Sequence, residues 1–250
     1  MCPSLTIQGA VGNSCVSNED AAALPSSVFT CSSNTELTSH HHSGSGGSSG
    51  DDTMYVFAYS WTPGFCNTQS NDPGCSNPES YWTNHFTIHG LWPQYVTDGY
   101  PHDCNNTPFD IKSPEAVGMD LMNQYWPNVQ AKPTDSDYDD FWTHEWTKHG
   151  TCSGLTQTNY FNTTINLAQQ FGTPSIFTQN TGKSVNADDL RTALGGKTKA
   201  SLICSGGNKL TGAYTCWSQS NGEPTKQTTC PSCVQQEDTC SSSTVSIEGM

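Results

Sequence analysis

Basic residues are scarce in this chain: 9 Lys and Arg stand against 23 Asp and Glu in 250 residues, a net charge of −14. So acidic a protein has no wide basic face for a polyanion, because affinity for nucleic acid rests mainly on neutralised phosphates. Any such ligand must be held locally, at a pH where histidines carry charge and some carboxylates do not. Long apolar runs are also missing. No stretch reaches 18 apolar residues, which argues against a membrane span. Hydrophobic residues make up only 33% of the chain and charged ones 13%, while 10% are aromatic, including seven Trp. A modest aromatic core with long Gly- and Pro-containing loops is expected, in one good-sized domain or at most two. Met1-Cys2-Pro3 carries no basic or apolar leader, so a leader is expected to have been removed.

Cysteine is what the chain has in plenty. Twelve are scattered from Cys2 to Cys240, an even number whose spread suits disulfides better than a single metal knot. Asn105-Asn106-Thr107 and Asn162-Thr163-Thr164 are glycan acceptor tripeptides, so Asn105 and Asn162 are candidate glycosylation sites. Both features place the protein in an oxidising compartment, either secreted or in a vacuole or lysosome. A monomer is expected.

Residues 1–53 read as a disulfide-stapled arm of the same domain, with the flexible tract Ser43–Gly50 after His40-His41-His42. The three histidines read as a solvated loop rather than a metal site. Residues 54–250 read as the domain itself. Met54–Trp61 is a β-branched and aromatic strand stopped by Thr62-Pro63-Gly64, and His85–Trp92 is a second strand ended by Pro93. Between them lies a loop with Cys66 and Cys75. Glu115–Trp126, Asp139–His149, Tyr160–Phe171 and Asn186–Leu194 carry helical spacing or helix-end signals. Ser201–Cys204 and Ala213–Trp217 return to strands, and the polar tail after Cys230 is expected to be held only by its cysteines. The order predicts a disulfide-rich α+β fold, a central and mainly antiparallel sheet with packed helices.

The segment Asp139–His149 concentrates the chemistry. Residues four apart share a helix face, so Glu145 pairs with His149 and His144 with Lys148, while Phe141, Trp142 and Trp146 anchor the helix. His144-Glu145 opens like the zinc-protease motif H-E-x-x-H, but the second ligand position holds Lys148, a cation that would repel zinc. His85 and His89 are also four apart, but in a strand that separates them by about 13 Å. No metal and no cofactor are expected. Two imidazoles, a carboxylate and an ammonium suit an RNA phosphodiester, which brings its own nucleophile in the 2′-OH. A base removes the 2′ proton, an acid protonates the departing 5′ oxygen, and a cation steadies the phosphorane.

Phe86-Thr87-Ile88-His89-Gly90-Leu91-Trp92-Pro93 and Phe141-Trp142-Thr143-His144-Glu145-Trp146-Thr147-Lys148-His149-Gly150-Thr151-Cys152 resemble, in order and spacing, the two active-site signatures of the ribonuclease T2 family. The resemblance spans residues 54 to about 216. It implies an acid endoribonuclease that cleaves single-stranded RNA to 2′,3′-cyclic and then 3′-phosphates, and low base specificity is expected of this chain. His89 and His149 would be the acid–base pair, with His149 as base. Glu145 and Lys148 would stabilise the phosphorane, and His144 would bind phosphate. It also implies a Cys104–Cys152 disulfide. Trp92 and Tyr100 resemble an aromatic pair that sandwiches the first base, with Trp92 as a core residue the structural alternative. Gln94 stands where some fungal members have an Asp that reads adenine. Pro127, Asn128, Gln130 and Phe141 fall in the region of the second base, and Ser60 replaces a common Gln there. Two other kinds of protein stand against these implications: a catalytically silent ribonuclease fold acting in binding or signalling, and a disulfide-rich secreted module binding carbohydrate or a cell surface.

Overall fold

Strand alternation sets up two buried layers. Tyr55, Phe57 and Tyr59 face the large aromatic core, whereas Met54, Val56 and Ala58 face a smaller cluster with Trp92, Tyr214 and Val234. These six residues belong to β1 (Thr53–Ser60), a strand covered on both sides. The computed structural model describes residues 53–67, 69, 71–97 and 99–250. The expected arm, with its histidine run and Gly/Ser tract, lies outside these residues except for Thr53.

After β1 come α1 (Thr62–Cys66), α2 (Pro73–Ser76) and β2 (Thr87–Tyr95), then α3 (Lys112–Val117), α4 (Met119–Tyr125), α5 (Asp140–Lys148) and α6 (Gln157–Phe171). The remainder is α7 (Ser175–Thr178), β3 (Lys183–Asn186), α8 (Ala187–Ala193), β4 (Ala200–Ser205), β5 (Lys209–Ser220), β6 (Glu223–Gln227), α9 (Ser232–Gln236) and β7 (Thr244–Ile247). The strands run β2-β1-β5-β7-β3, with β4 and β6 also paired to β5. All these pairings are antiparallel except β5 with β7, so the sheet is mixed and the fold α+β. Helices α4, α5 and α6 supply Met122, Trp142, Trp146, Tyr160 and Phe161 to the large core.

The structure moves several expected boundaries. Thr62-Pro63-Gly64 opens α1 instead of ending in a loop, with Pro63 in the first turn, where its missing N–H costs no bond. β2 continues through Pro93 to Tyr95, because it is an edge strand of the sheet and the missing N–H can face outward. The helix expected over Glu115–Trp126 is two helices, broken at Gly118, whose φ of +115° suits only glycine. The tail after Cys230 is held by more than its cysteines. It forms α9 and β7, and Val245 and Ile247 of β7 are fully buried. Four disulfides join described residues: Cys66–Cys75, Cys104–Cys152, Cys204–Cys240 and Cys216–Cys230.

Candidate active site

His89 occupies a β-bulge. β1 and β2 pair in register at Ala58–Gly90 and again at Tyr59–Ile88, leaving His89 without a partner across the strands. The extra residue shifts the alternation, so that Ile88 and Leu91, three apart, both enter the large core. The bulged carbonyl is satisfied by the indole N–H of Trp126, which donates to His89 O at 2.9 Å. Trp142 in turn donates to the carbonyl of Trp126 at 2.8 Å, tying α5 to the bulge through two indoles.

α5 forms because Asp140 sits in its first turn and Lys148 in its last, each favourable to the helix dipole, while Trp142 and Trp146 share the buried face. His149 caps the helix, and its N–H still donates to Glu145 O at 3.1 Å. The face toward β2 carries Glu145, only 1% exposed. Its Oε2 accepts the indole N–H of Trp92 at 2.7 Å, and its Oε1 lies 3.6 Å from His89 Nε2. A side chain at Gly90 would run into Glu145 Oε2 and Trp92 Nε1, so this close meeting of strand and helix needs glycine there. The Trp92 ring stands between the two histidines, with centroids 5.1 Å from His89 and 5.2 Å from His149. The Cys104–Cys152 disulfide and the Cys104 N–H bond to Thr151 Oγ1 (3.1 Å) fasten the loop after β2 to the end of α5.

Burial governs the electrostatics. It pushes His89 down to about 3, helped by the neighbouring His144 and Lys148. It drives His149 well below the ordinary imidazole value, with Lys148, His144, His89 and His102 acting in the same direction. Burial also lifts Glu145 to about 8, against the opposing Trp92 hydrogen bond and the Lys148 charge. The closed site therefore favours neutral imidazoles and a protonated carboxyl. His149 Nδ1 is buried and has no hydrogen-bond partner among the described residues.

The structure gathers His89, Glu145, Lys148 and His149, with His144 exposed on the next face of α5. Pro127, Asn128, Gln130 and Phe141 line one cleft with His89 and Ser60. The Asn128 amide, however, is turned inward and donates to Tyr138 O at 3.1 Å. Trp92 is 3% exposed and its N–H is committed, which is the core placement rather than an open stacking face. Gln94 is likewise buried, and its amide donates to Gly99 O, bracing the loop that carries Tyr100. Tyr100 is half-buried, 5.9 Å from the His149 ring. Trp126 escaped the sequence reading. Its signal was a Trp placed directly before Pro127, an indole N–H that must find an acceptor when buried. Asn105 and Asn162 are both exposed, although Asn105 Nδ2 donates to Thr151 O at 3.1 Å. No group of three or more His, Cys, Asp or Glu is placed to hold a metal among the described residues.

The family model described as "Ribonuclease T2 family" matches residues 52–240, well over half of the chain. The chain belongs to the ribonuclease T2 family. It is an endoribonuclease of the T2 type, and it is similar to several proteins named ribonucleases. Ribonuclease 1 of Arabidopsis thaliana is 34% identical over 179 residues, 68% of this chain and 69% of its own length. The intracellular ribonuclease LX of Solanum lycopersicum is 35% identical over 131 residues, and that alignment spans only about half of either chain, 52% of each. A mutant of ribonuclease MC1 in complex with 5′-GMP superposes with a TM-score of 0.59 at 24% identity, covering 78% of this chain and 99% of its own. At that identity the likeness shows the fold alone. No helix among the described residues is long and apolar enough to cross a membrane.

Proposed function

We propose that this T2 ribonuclease cleaves single-stranded RNA by transphosphorylation, with His149 as base and His89 as acid. The observation that carries this is the placement of the two imidazoles on either side of Trp92, with Glu145 held against His89. His149 takes the 2′-OH proton, and the 2′ oxygen forms a bond to phosphorus as the bond to the 5′ oxygen breaks. His89, neutral in the closed site, gives that leaving oxygen a proton from one ring nitrogen as its Nε2 takes one from the protonated Glu145. The products are a 2′,3′-cyclic phosphate and a 5′-hydroxyl, and water then opens the ring to a 3′-phosphate. The lowered basicity of His149 keeps it a free base in acid, where a protonated Glu145 beside His89 supplies a proton reserve. Lys148, on the same helix, sets its charge against the equatorial phosphorane oxygens, and His144 takes a phosphate from the exposed face. Tyr100 is left as the first-base stacking partner, since Trp92 and Gln94 are buried, and stacking on one ring without a polar reader supports broad base preference.

An acid optimum, a place outside the reducing cytosol and a monomeric enzyme complete the proposal, together with glycans at Asn105 and Asn162. The test is incubation with single-stranded RNA at pH 5 in EDTA. Cyclic and 3′-phosphates should accumulate, and His89→Phe or His149→Phe should lower turnover by ~10²-fold or more. An inert intact protein would point to a silent fold, and activity lost in EDTA would point to a metal.

A further inference from the structure

The rings of the site form a row. Phe141 lies 5.4 Å from His89, His89 5.1 Å from Trp92, and Trp92 5.2 Å from His149. Beyond His149 the row continues to Tyr100 at 5.9 Å and from Tyr100 to His102 at 5.7 Å. The first five rings belong to the site described above, whereas His102, the outermost, has no role in the reaction as proposed.

The side chain of His102 is 55% exposed, and its Nδ1 lies 2.8 Å from Asp103 Oδ2. Asp103 has a φ of +49°, a left-handed conformation uncommon outside glycine. The turn is fixed in spite of this. The Asp103 N–H donates to Lys148 O at 2.9 Å, and the next residue, Cys104, is joined to Cys152. Two successive residues thus tie His102 to the C-terminal end of the catalytic helix. With Nδ1–H given to the carboxylate, Nε2 lies on the opposite edge of the ring, and no described residue partners it. In a protein of net charge −14, this exposed and oriented imidazole at the outer end of the ring row is a place where an anion can be met.

We propose that His102 binds the phosphate on the 5′ side of the nucleotide whose 2′-OH is activated by His149. This rests on the ribonuclease reading and extends it. His89 serves the leaving 5′ oxygen, so the downstream nucleoside lies toward Phe141. The upstream nucleotide then lies past His149 toward Tyr100, and its own 5′-phosphate reaches the next group outward, His102. Asp103 is a positioning residue in this arrangement, holding the ring rather than touching the phosphate.

The experiment compares kcat/KM at pH 5 for three dinucleotides: unphosphorylated, 5′-phosphorylated and 3′-phosphorylated. The wild-type enzyme should prefer the 5′-phosphorylated form about three- to fivefold over the unphosphorylated one, the size expected of an exposed charge pair. His102→Gln should bring that ratio to about one. A wild-type ratio of one, a preference for the 3′-phosphate instead, or a ratio unchanged in His102→Gln would each overturn the assignment. Cleavage of none of the three by the wild-type protein would remove the ribonuclease reading itself, and this inference with it.

Discussion

Glu145 is the most constrained residue of the site, because it is buried between an indole donor and an imidazole with its charge opposed by burial. A carboxyl held near 8 in the folded chain keeps a proton that the unfolded chain loses near its ordinary value of 4.5. Its contribution to stability is therefore complete below about 4.5 and is lost as pH rises toward 8. His89 works in the opposite direction. Lowered from 6.5 to about 3, it costs stability as pH falls through that window, because only the unfolded chain takes up the proton. Replacing Glu145 by Gln removes the first slope and leaves Trp92 an acceptor. We expect wild-type stability to fall more than that of Glu145→Gln between pH 5 and 8, by about 2 kcal/mol. For a domain of this size that is ~4–8 °C in thermal midpoint. Equal losses in the two proteins would mean that Glu145 is ionised throughout and paired with a protonated His89.

At the scale of elements, the site is the meeting of one bulged edge strand with one helix, and Gly90 sets how closely they meet. A methyl group there would overlap Glu145 Oε2 and Trp92 Nε1, so Glu145 would have to move away from His89. Gly90→Ala is expected to cost about 1–3 kcal/mol of stability and to lower kcat about 10- to 100-fold through the misplaced carboxyl. Thermal melts and steady-state kinetics check the two together, and activity within twofold of wild type would show that the position of Glu145 is not critical. Much of this assembly was legible in the sequence. Helical spacing put Glu145, Lys148 and His149 on adjoining faces, and a β-branched, aromatic run marked β1. The bulge at His89 was not legible, since a pairing shift depends on where β1 lies and leaves no mark on composition. For Trp92 the sequence left both a stacking platform and a core residue open, and its burial follows from β5 placing Tyr214 against it, 5.4 Å between ring centroids. The tail gave no strand signal because Thr244–Ile247 is short and polar on alternate positions, and only its insertion beside β5 and β3 buries Val245 and Ile247.

The charge of the whole molecule sets the terms on which RNA reaches this site. All nine basic residues lie within the described part of the chain, and the single arginine, Arg191, is already held by Asp238, Asp188 and the carbonyl of Cys240. Near neutral pH a long RNA must therefore approach a surface of its own sign and gain its affinity from the few groups along the ring row. Salt screens that repulsion over distances near the Debye length, ~10 Å at 0.1 M. It weakens the few local phosphate contacts as well, but a protein neutralising only one or two phosphates loses little affinity by counterion release. For a polymeric RNA at pH 7.5, kcat/KM should accordingly rise about two- to fivefold as NaCl goes from ~20 to ~150 mM. A dinucleotide, which carries little charge into the long-range field, should respond less. At pH 5 the rise should shrink for both, because the molecule's net negative charge is smaller in acid. A steep fall of kcat/KM with salt on the polymer, the behaviour of an enzyme that neutralises many phosphates, would show that binding extends well beyond the site.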